Sequence, residues 1–332
     1  MRAIVTGAGG FIGSHLVKNL KARGYEVTGV DLKKPEFEET AADWFILGDL
    51  RNARVAKSVI KDAQECYCLA ADMGGMGFIS RFHAQILYNN VQINANTLDA
   101  AKTNGIKSLF LSSSACVYPM YRQKKTDVKP LKESDAYPAM PEEAYGWEKL
   151  ISEKLFMYYH DEYKLRVRIA RFHNIAGCGT WTGGREKAPA ALCRKVAIAK
   201  LTGNHSIEIW GDGKATRSYC YIDDCLEGIR RMMAIETLDG PLNLGSNELI
   251  SVDGLADLVA DIAGIKIKKV HVQGPQGVRG RNSDNTLIQK TLGWQPRTPL
   301  EEWLKPTYEW IEAQVKAHPE LWKGKKDVIP PP

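Results

Sequence analysis

The 332-residue sequence predicts an α/β fold: a doubly wound parallel sheet with a smaller C-terminal α/β domain. Three observations carry that expectation. The apolar run Ala3, Ile4, Val5 leads into glycines at 7, 10 and 13, where a helical pattern begins. Strand-like runs then alternate with helical ones, the order that builds parallel sheets. An acid, Asp31, closes the second strand about 20 residues beyond the glycines, as a dinucleotide site requires.

The chain is long enough for roughly two domains. Its 44% hydrophobic and 25% charged residues match a globular protein with a sizeable core. The net charge of +6 is spread along the chain. It suits an anionic small molecule and is too diffuse to argue for nucleic acid. No apolar run is long enough to predict a membrane span, and the first residues read as a strand rather than a leader. The seven cysteines are odd in number and follow no zinc spacing. Cys66 and Cys68 merely share one face of a strand, so no metal is expected and a reduced, cytoplasmic compartment fits.

In Val5-Thr6-Gly7-Ala8-Gly9-Gly10-Phe11-Ile12-Gly13, Gly7 permits a tight turn and Gly10 lets backbone approach a pyrophosphate. Gly13 lets the helix pack closely on the strand, and the helix N-terminus offers free N–H groups to phosphate. This is a Rossmann dinucleotide loop. Phe11 and Ile12 open its helix, and Leu16, Val17 and Leu20 continue the apolar stripe. Asp31, at the end of the strand at 25–30, can accept both ribose hydroxyls and repel a 2′-phosphate, favouring NAD over NADP. Lys33 and Lys34 nearby act in the opposite sense. A third strand at 44–47 is closed by Asp49, a candidate for the adenine edge or a turn aspartate.

A fourth strand covers 65–71. The loop Asp72-Met73-Gly74-Gly75-Met76-Gly77 then lines the place where cofactor and substrate meet. A helix over 82–104 should turn Ile86, Val91, Ile93 and Leu98 inward. The fifth strand, 107–111, runs into Ser112-Ser113-Ser114-Ala115-Cys116 at the sheet edge where ligands sit. The basic, proline-punctuated stretch 119–141 reads as a lid or a disordered loop. A helix begins near Pro141-Glu142-Glu143, with a proline and two acids at its start.

Tyr145 and Lys149 lie four apart on that helix and share a face. A phenol of pKa about 10 is a poor base, but a lysine cation and a positive nicotinamide ring both favour phenolate. Tyr145 can then take a hydroxyl proton as the carbon gives hydride to NAD. Lys149 can also hold the nicotinamide ribose, and Ser114 can polarise the same hydroxyl. Past Arg171 the pattern changes. A helix is expected over 188–201 with Lys195 exposed, then a strand at 208–210 and a turn at 211–213. Residues 217–221 read as a strand returning to the main sheet. A closing helix covers 301–316, and Pro330-Pro331-Pro332 should fray. The expected division is an NAD domain over 1–174, with 212–240 returning to it, and a nucleotide-sugar domain over 175–211 and 241–332.

The glycine loop, the serine-ended strand and Tyr145-x-x-x-Lys149 resemble the extended short-chain dehydrogenase/reductases that act on nucleotide sugars. More narrowly, four stretches are similar to the GDP-mannose 3,5-epimerase family: 113–119 (SSACVYP), 171–175 (RFHNI), 183–189 (GGREKAP) and 277–285 (GVRGRNSDN). The resemblance implies an isomerase that oxidises C4 of a GDP-hexose with NAD, inverts C3 and C5, and re-reduces C4. The product would be GDP-L-galactose, with GDP-L-gulose if only C5 inverts. It implies Cys116 and Lys187 as acid and base on opposite ring faces. It also implies substrate contacts at Gly74, Ser114, Ala115, Cys116, Glu186, Lys187 and Ala188, and nucleotide or diphosphate contacts at Asn174, Lys195, Arg217 and Arg281. A thiol near pKa 8.5 and an amine lowered by burial suit acid/base work. Family members carry an aromatic and a proline after Asn174-Ile175, in a slightly longer loop; here Ala176-Gly177-Cys178-Gly179-Thr180 stands at what would be the pocket wall.

The expected partners are a GDP-hexose and a second copy of the chain, with no nucleic acid and no membrane. Two alternatives stand beside this reading. One is another nucleotide-sugar epimerase of the UDP-hexose 4-epimerase type, which needs neither the thiol nor Lys187. The other is a non-catalytic NAD-sensing protein on the same fold, which has no use for all four of Tyr145, Lys149, Cys116 and Lys187. A 4,6-dehydratase would need an Asp-Glu pair where Ala115-Cys116 stand, and an NADPH-dependent epimerase/reductase conflicts with Asp31.

Overall fold

Seven parallel strands form the frame on which the site is mounted. The structure, a computed structural model, describes residues 1–275 and 277–324; the proline end at 330–332 lies outside the described residues. The first half contains β1 (Arg2–Thr6), α1 (Phe11–Ala22), β2 (Glu26–Asp31), β3 (Trp44–Leu47), α2 (Ala53–Val59), β4 (Glu65–Cys68), α3 (Met76–Ile79), α4 (His83–Thr103), β5 (Ser108–Ser114), α5 (Glu143–Tyr163) and β6 (Arg166–Phe172). The second half contains β7 (Ile175–Ala176), α6 (Ala188–Thr202), β8 (Ser206–Trp210), β9 (Thr216–Ser218), β10 (Cys220–Tyr221), α7 (Ile222–Ala234), β11 (Leu242–Leu244), β12 (Leu249–Ser251), α8 (Val252–Ala263), β13 (Lys268–Val272), β14 (Gly280–Arg281), α9 (Thr286–Leu292) and α10 (Leu300–Ala317).

The main sheet runs β11-β6-β5-β4-β1-β2-β3. Strand order reverses between β1 and β4, and the crevice above that switch point is where ligands bind in such sheets. Both faces are covered. Leu16, Val17 and Leu20 of α1 and Ile229 and Met232 of α7 pack with Tyr67 and Phe110 on one side. Ala56 of α2, Leu98 of α4 and Phe156 of α5 pack with Ile4, Cys66 and Leu109 on the other. Two strand arginines tie α7 down. Arg166 donates to the carbonyls of Met233 and Ile235, and Arg168 to those of Met232, Ile235 and Glu236. They satisfy the helix's last carbonyls and complement its negative end.

Several elements depart from expectation. Strand β4 stops at Cys68, and β5 continues beyond 111 to include the serine run, ending at Ser114. Residues 217–221 do not return to the main sheet. Strand β9 pairs with β12 and β14, and β10 pairs with β7 in a separate ribbon. The seventh main strand is β11, held beside β6. On α4, Ile86 and Leu98 are buried as expected, but Val91 and Ile93 are only half-buried. Asn89, Asn90 and Asn94 take inward positions; Asn90 and Asn94 face a buried carboxylate on α5, and Asn89 donates to Asp72.

The stretch 119–141 is neither a loose lid nor disordered. Gln123, Val128, Leu131 and Ala136 are buried along it. Leu131 N–H donates to the Asn282 carbonyl (3.0 Å), and the Asp284 N–H donates to that of Leu131 (3.0 Å). Beneath it lies a buried polar network. Arg171 makes a two-pronged bond to Glu153 (2.9 and 2.8 Å) and donates to the Glu133 carbonyl. Asn243 accepts from Tyr118 Oη (2.5 Å) and pairs with His173 Nε2 (2.9 Å). The C-terminal lobe has its own core, in which Trp181, Val196, Leu255, Trp303 and Leu304 join α6, α8 and α10.

Candidate active site

At the sheet's switch point the glycine loop is shaped by close approach. Gly7 has φ +73°, and a Cβ on Gly13 would lie 2.0 Å from the Gly7 carbonyl oxygen. Asp31 Oδ2 accepts the Gly9 N–H at 2.9 Å, so the acid expected at the ribose braces the loop. Gly9 was not singled out by sequence. A Cβ there would strike the Lys33 carbonyl at 2.0 Å, which makes it as obligatory as Gly13. Phe11 and Ile12 follow at the helix start, half-buried. This loop, drawn tight at Gly9 and Gly13, with the α1 N-terminus and a carboxylate at the β2 end, fits NAD. Asp49 is paired with Arg51, whose guanidinium reaches Asp49 Oδ2 at 2.7 Å and Asn89 at 3.3 Å.

The segment 176–180 covers the start of α1. The Cys178 carbonyl meets His15 Nε2 at 2.8 Å, and Gly179 lies so close to Phe11 that a Cβ would be 2.3 Å from the ring. The short glycine-rich sequence there is a packing requirement of the dinucleotide helix.

The start of α5 is pressed onto the end of β5. Cys116 O accepts the Glu142 N–H at 3.2 Å, and a Cβ on Gly146 would lie 2.2 Å from that same oxygen. Gly146 thus lets Tyr145 reach the serine-ended strand. Tyr145 is buried and borders the same cleft as Ser114. Burial first, then the charges of Cys116 and Glu148, hold its phenol well above the ordinary 10, against the pull of Ser114.

Lys149 does not offset this as the four-residue spacing suggested. Its Nζ lies 5.6 Å from the Tyr145 ring centre but 3.8 Å from Glu148 Oε2, so its charge is shared with a buried carboxylate. Glu148 also accepts from Asn90 (3.2 Å), Asn94 (3.0 Å) and Ser152 (2.9 Å). Glu148 and these asparagines were missed by sequence. The available signal was asparagine, a weak helix former, recurring at 89, 90 and 94 within one helix.

The cleft brings together Gly74, Ser114, Ala115, Cys116 and Tyr145 from the sheet domain. From the chain beyond β6 come Asn174, Glu186, Lys187, Ala188, Lys195, Arg217 and Arg281. Every expected substrate contact therefore borders one cavity, and Lys149 is buried 5.6 Å from the Tyr145 ring centre. Lys187 precedes α6 and is half-buried. Burial lowers its amine, with Arg281 adding to the effect and Cys116 opposing it. Glu186 pairs with Arg194 at 2.8 Å. Gly75 abuts this segment, since a Cβ there would meet the Glu186 carbonyl at 2.9 Å. Asn174 adopts φ +47° and donates to the Ser218 carbonyl.

Lys195 is half-buried rather than exposed, with Nζ donating to the Glu208 carbonyl at 3.0 Å. Arg217 spends two donors on the Thr216 and Val278 carbonyls. Burial and the neighbouring Arg281 lower it. Arg281, expected at the diphosphate, is buried with donors on Gln123 (2.7 Å), Glu142 (2.6 Å) and Cys116 Sγ (3.4 Å). Sequence reading took Glu142 only as a helix-dipole acid. Among the described residues no group of histidines, cysteines and acids is placed to hold a metal ion.

The model of the NAD dependent epimerase/dehydratase family matches residues 3–245. GDP-mannose 3,5-epimerase of Arabidopsis thaliana is 47% identical over 95% of this chain and 83% of its own length. A GDP-L-fucose synthase of Sinorhizobium fredii is 27% identical over 95% of this chain and 96% of its own. Among solved structures, UDP-glucose 4-epimerase of Thermotoga maritima with UDP-glucose superposes with TM-score 0.85 at 26% identity, covering 95% of this chain and all of that one. UDP-glucuronic acid 4-epimerase of Bacillus cereus, solved with UDP-glucuronic acid and NAD, gives TM-score 0.80 at 25% identity over 95% of this chain and all of that one. The chain belongs to the NAD-dependent epimerase/dehydratase family.

Proposed function

We propose that this enzyme converts GDP-D-mannose to GDP-L-galactose by inverting C3 and C5, with GDP-L-gulose as the singly inverted product. The observation that carries the reading is that a thiol, Cys116, and an amine lowered by burial, Lys187, border the same cleft as the Tyr145–Ser114 pair. NAD, when bound, supplies a hydride acceptor and donor for C4 and a positive ring beside the phenol. Tyr145 Oη takes the C4 hydroxyl proton and later returns it, while Ser114 holds the oxygen. With C4 a ketone, the C–H bonds at C3 and C5 become acidic. The Cys116 thiolate takes a proton from one face of the ring, and the Lys187 ammonium gives one to the other. Each inversion leaves this pair with its protons exchanged, and solvent resets it before the second centre turns over.

Arg217 and Lys195 supply positive charge for a diphosphate, and the neutral Arg281–Glu142 pair closes the cleft floor. A homodimer is the assembly we infer. Trp147, Ile151 and Tyr158 form an exposed stripe on α5, with Tyr88 exposed on α4. Spacings of four and seven put the α5 residues on one face. Among the described residues no helix is long and apolar enough to cross a membrane, and the seven cysteines are free thiols, which suits a reducing cytoplasm. Incubation with GDP-mannose, with chromatography of the released sugars, tests the function. Galactose and gulose are expected. Talose alone, the C4 epimer, would place the enzyme with the 4-epimerases.

A further inference from the structure

A guanidinium touching the sulfur that is to act as base needs an explanation, because a full positive charge there would weaken the thiolate's basicity. Arg281 Nη1 lies 3.4 Å from Cys116 Sγ, while its Nη2 donates to Glu142 Oε2 at 2.6 Å. Arg281 and Glu142 are both buried, and Glu142 Oε1 accepts the Val278 N–H at 3.1 Å. The carboxylate therefore grips both the arginine and the loop that carries it. The adjoining Glu143 is held at φ +55°, a left-handed conformation that a side chain other than glycine rarely takes. The backbone is thus held in an unusual turn beside this contact.

The groups whose charge acts on Cys116, or is acted on by it, are Tyr145 from α5, Lys187 before α6, Arg217 from β9 and Arg281 from β14. Three of these four are cationic, and Glu142 is the carboxylate joined to them. We propose that Glu142 is a positioning residue that clamps Arg281 against Cys116 and neutralises it, so that the sulfur feels a dipole rather than a unit charge. The inference rests on Cys116 acting as an acid/base group. Burial pushes the Glu142 carboxyl up, but Arg281 and Arg217 outweigh it and the group is held below the usual range, so the neutralising charge is present. A thiol acidified too far would be a poor base for a C–H bond. The clamp sets a carboxylate against the guanidinium that touches the sulfur and fixes where that guanidinium sits.

The test is the pH dependence of iodoacetamide alkylation at Cys116, read by mass spectrometry of its peptide in the NAD-loaded full chain. Peptide resolution separates it from the six other cysteines. Glu142→Gln keeps the shape and leaves Arg281 uncompensated, so the alkylation midpoint should fall by roughly one pH unit. An unchanged or higher midpoint overturns the proposal. Should that variant not fold, the comparison is made in Arg281→Gln. There the lone Glu142 carboxylate should raise the midpoint, and adding Glu142→Gln should bring it back down. Equal midpoints for the single and double variants overturn the proposal. Alkylation does not require turnover. Loss of the acid/base reading would show separately, as a Cys116→Ala variant that still exchanges sugar protons with solvent.

Discussion

Cys116 lies where three segments distant in sequence meet: the end of β5, the start of α5 and the loop carrying Arg281. Replacing it with alanine should stop solvent exchange at the sugar's C3 and C5, while hydride transfer at C4, followed as reduced-nicotinamide absorbance, persists. A variant that still exchanges at both carbons would refute the role given to the thiol. His173 gives a residue-scale prediction about stability. It is fully buried, and burial pushes its imidazole from the ordinary 6.5 down to about 3. The unfolded chain therefore binds the proton more readily between those values. Stability is complete above pH 6.5 and is lost as pH falls towards 3, by about 1.4 kcal/mol per unit. Urea unfolding at pH 7 and pH 5 should show that loss in the native chain, and His173→Gln should flatten it.

At the scale of elements, what the sequence made legible followed from rules that act locally. The glycines at 7 and 13, the acid at 31 and the four-residue spacing of Tyr145 and Lys149 each answer to one turn, one strand end or one helix face. What escaped was set by partners far along the chain. Glu148 follows Trp147 on an ordinary helix, and only the packing of α4 on α5 reveals that Asn90 and Asn94 solvate it. Arg281 reads as a phosphate ligand until the fold sets it on Cys116. The stretch 119–141 reads as a lid because its anchors, Gln123 and Leu131, bond to residues more than a hundred positions away. Two substitutions test the element packing. Asn94→Leu should cost about 2–3 kcal/mol in urea unfolding, because it takes a donor from a buried carboxylate; a neutral effect would mean the α4–α5 amide network is dispensable. Gly13→Ala should lose bound NAD on purification, since α1 cannot then approach β1; full retention would contradict the close-packing account.

On the scale of the whole molecule, the parallel sheet supplies the cradle and the second lobe supplies cations, with the chemistry between them. The exposed stripe of Trp147, Ile151 and Tyr158 belongs to this scale too. Trp147→Glu with Ile151→Lys should convert a dimer to a monomer in light scattering behind size exclusion; an unchanged mass would place the interface elsewhere. The central claim is that a sugar alcohol is held as a ketone long enough for two neighbouring carbons to trade protons with the solvent. Proton NMR of GDP-mannose incubated with the enzyme in deuterium oxide tests it most directly. Deuterium entering C3 and C5, with C4 keeping its original hydrogen, is the predicted result. Turnover that leaves C3 and C5 fully protonated would contradict the account.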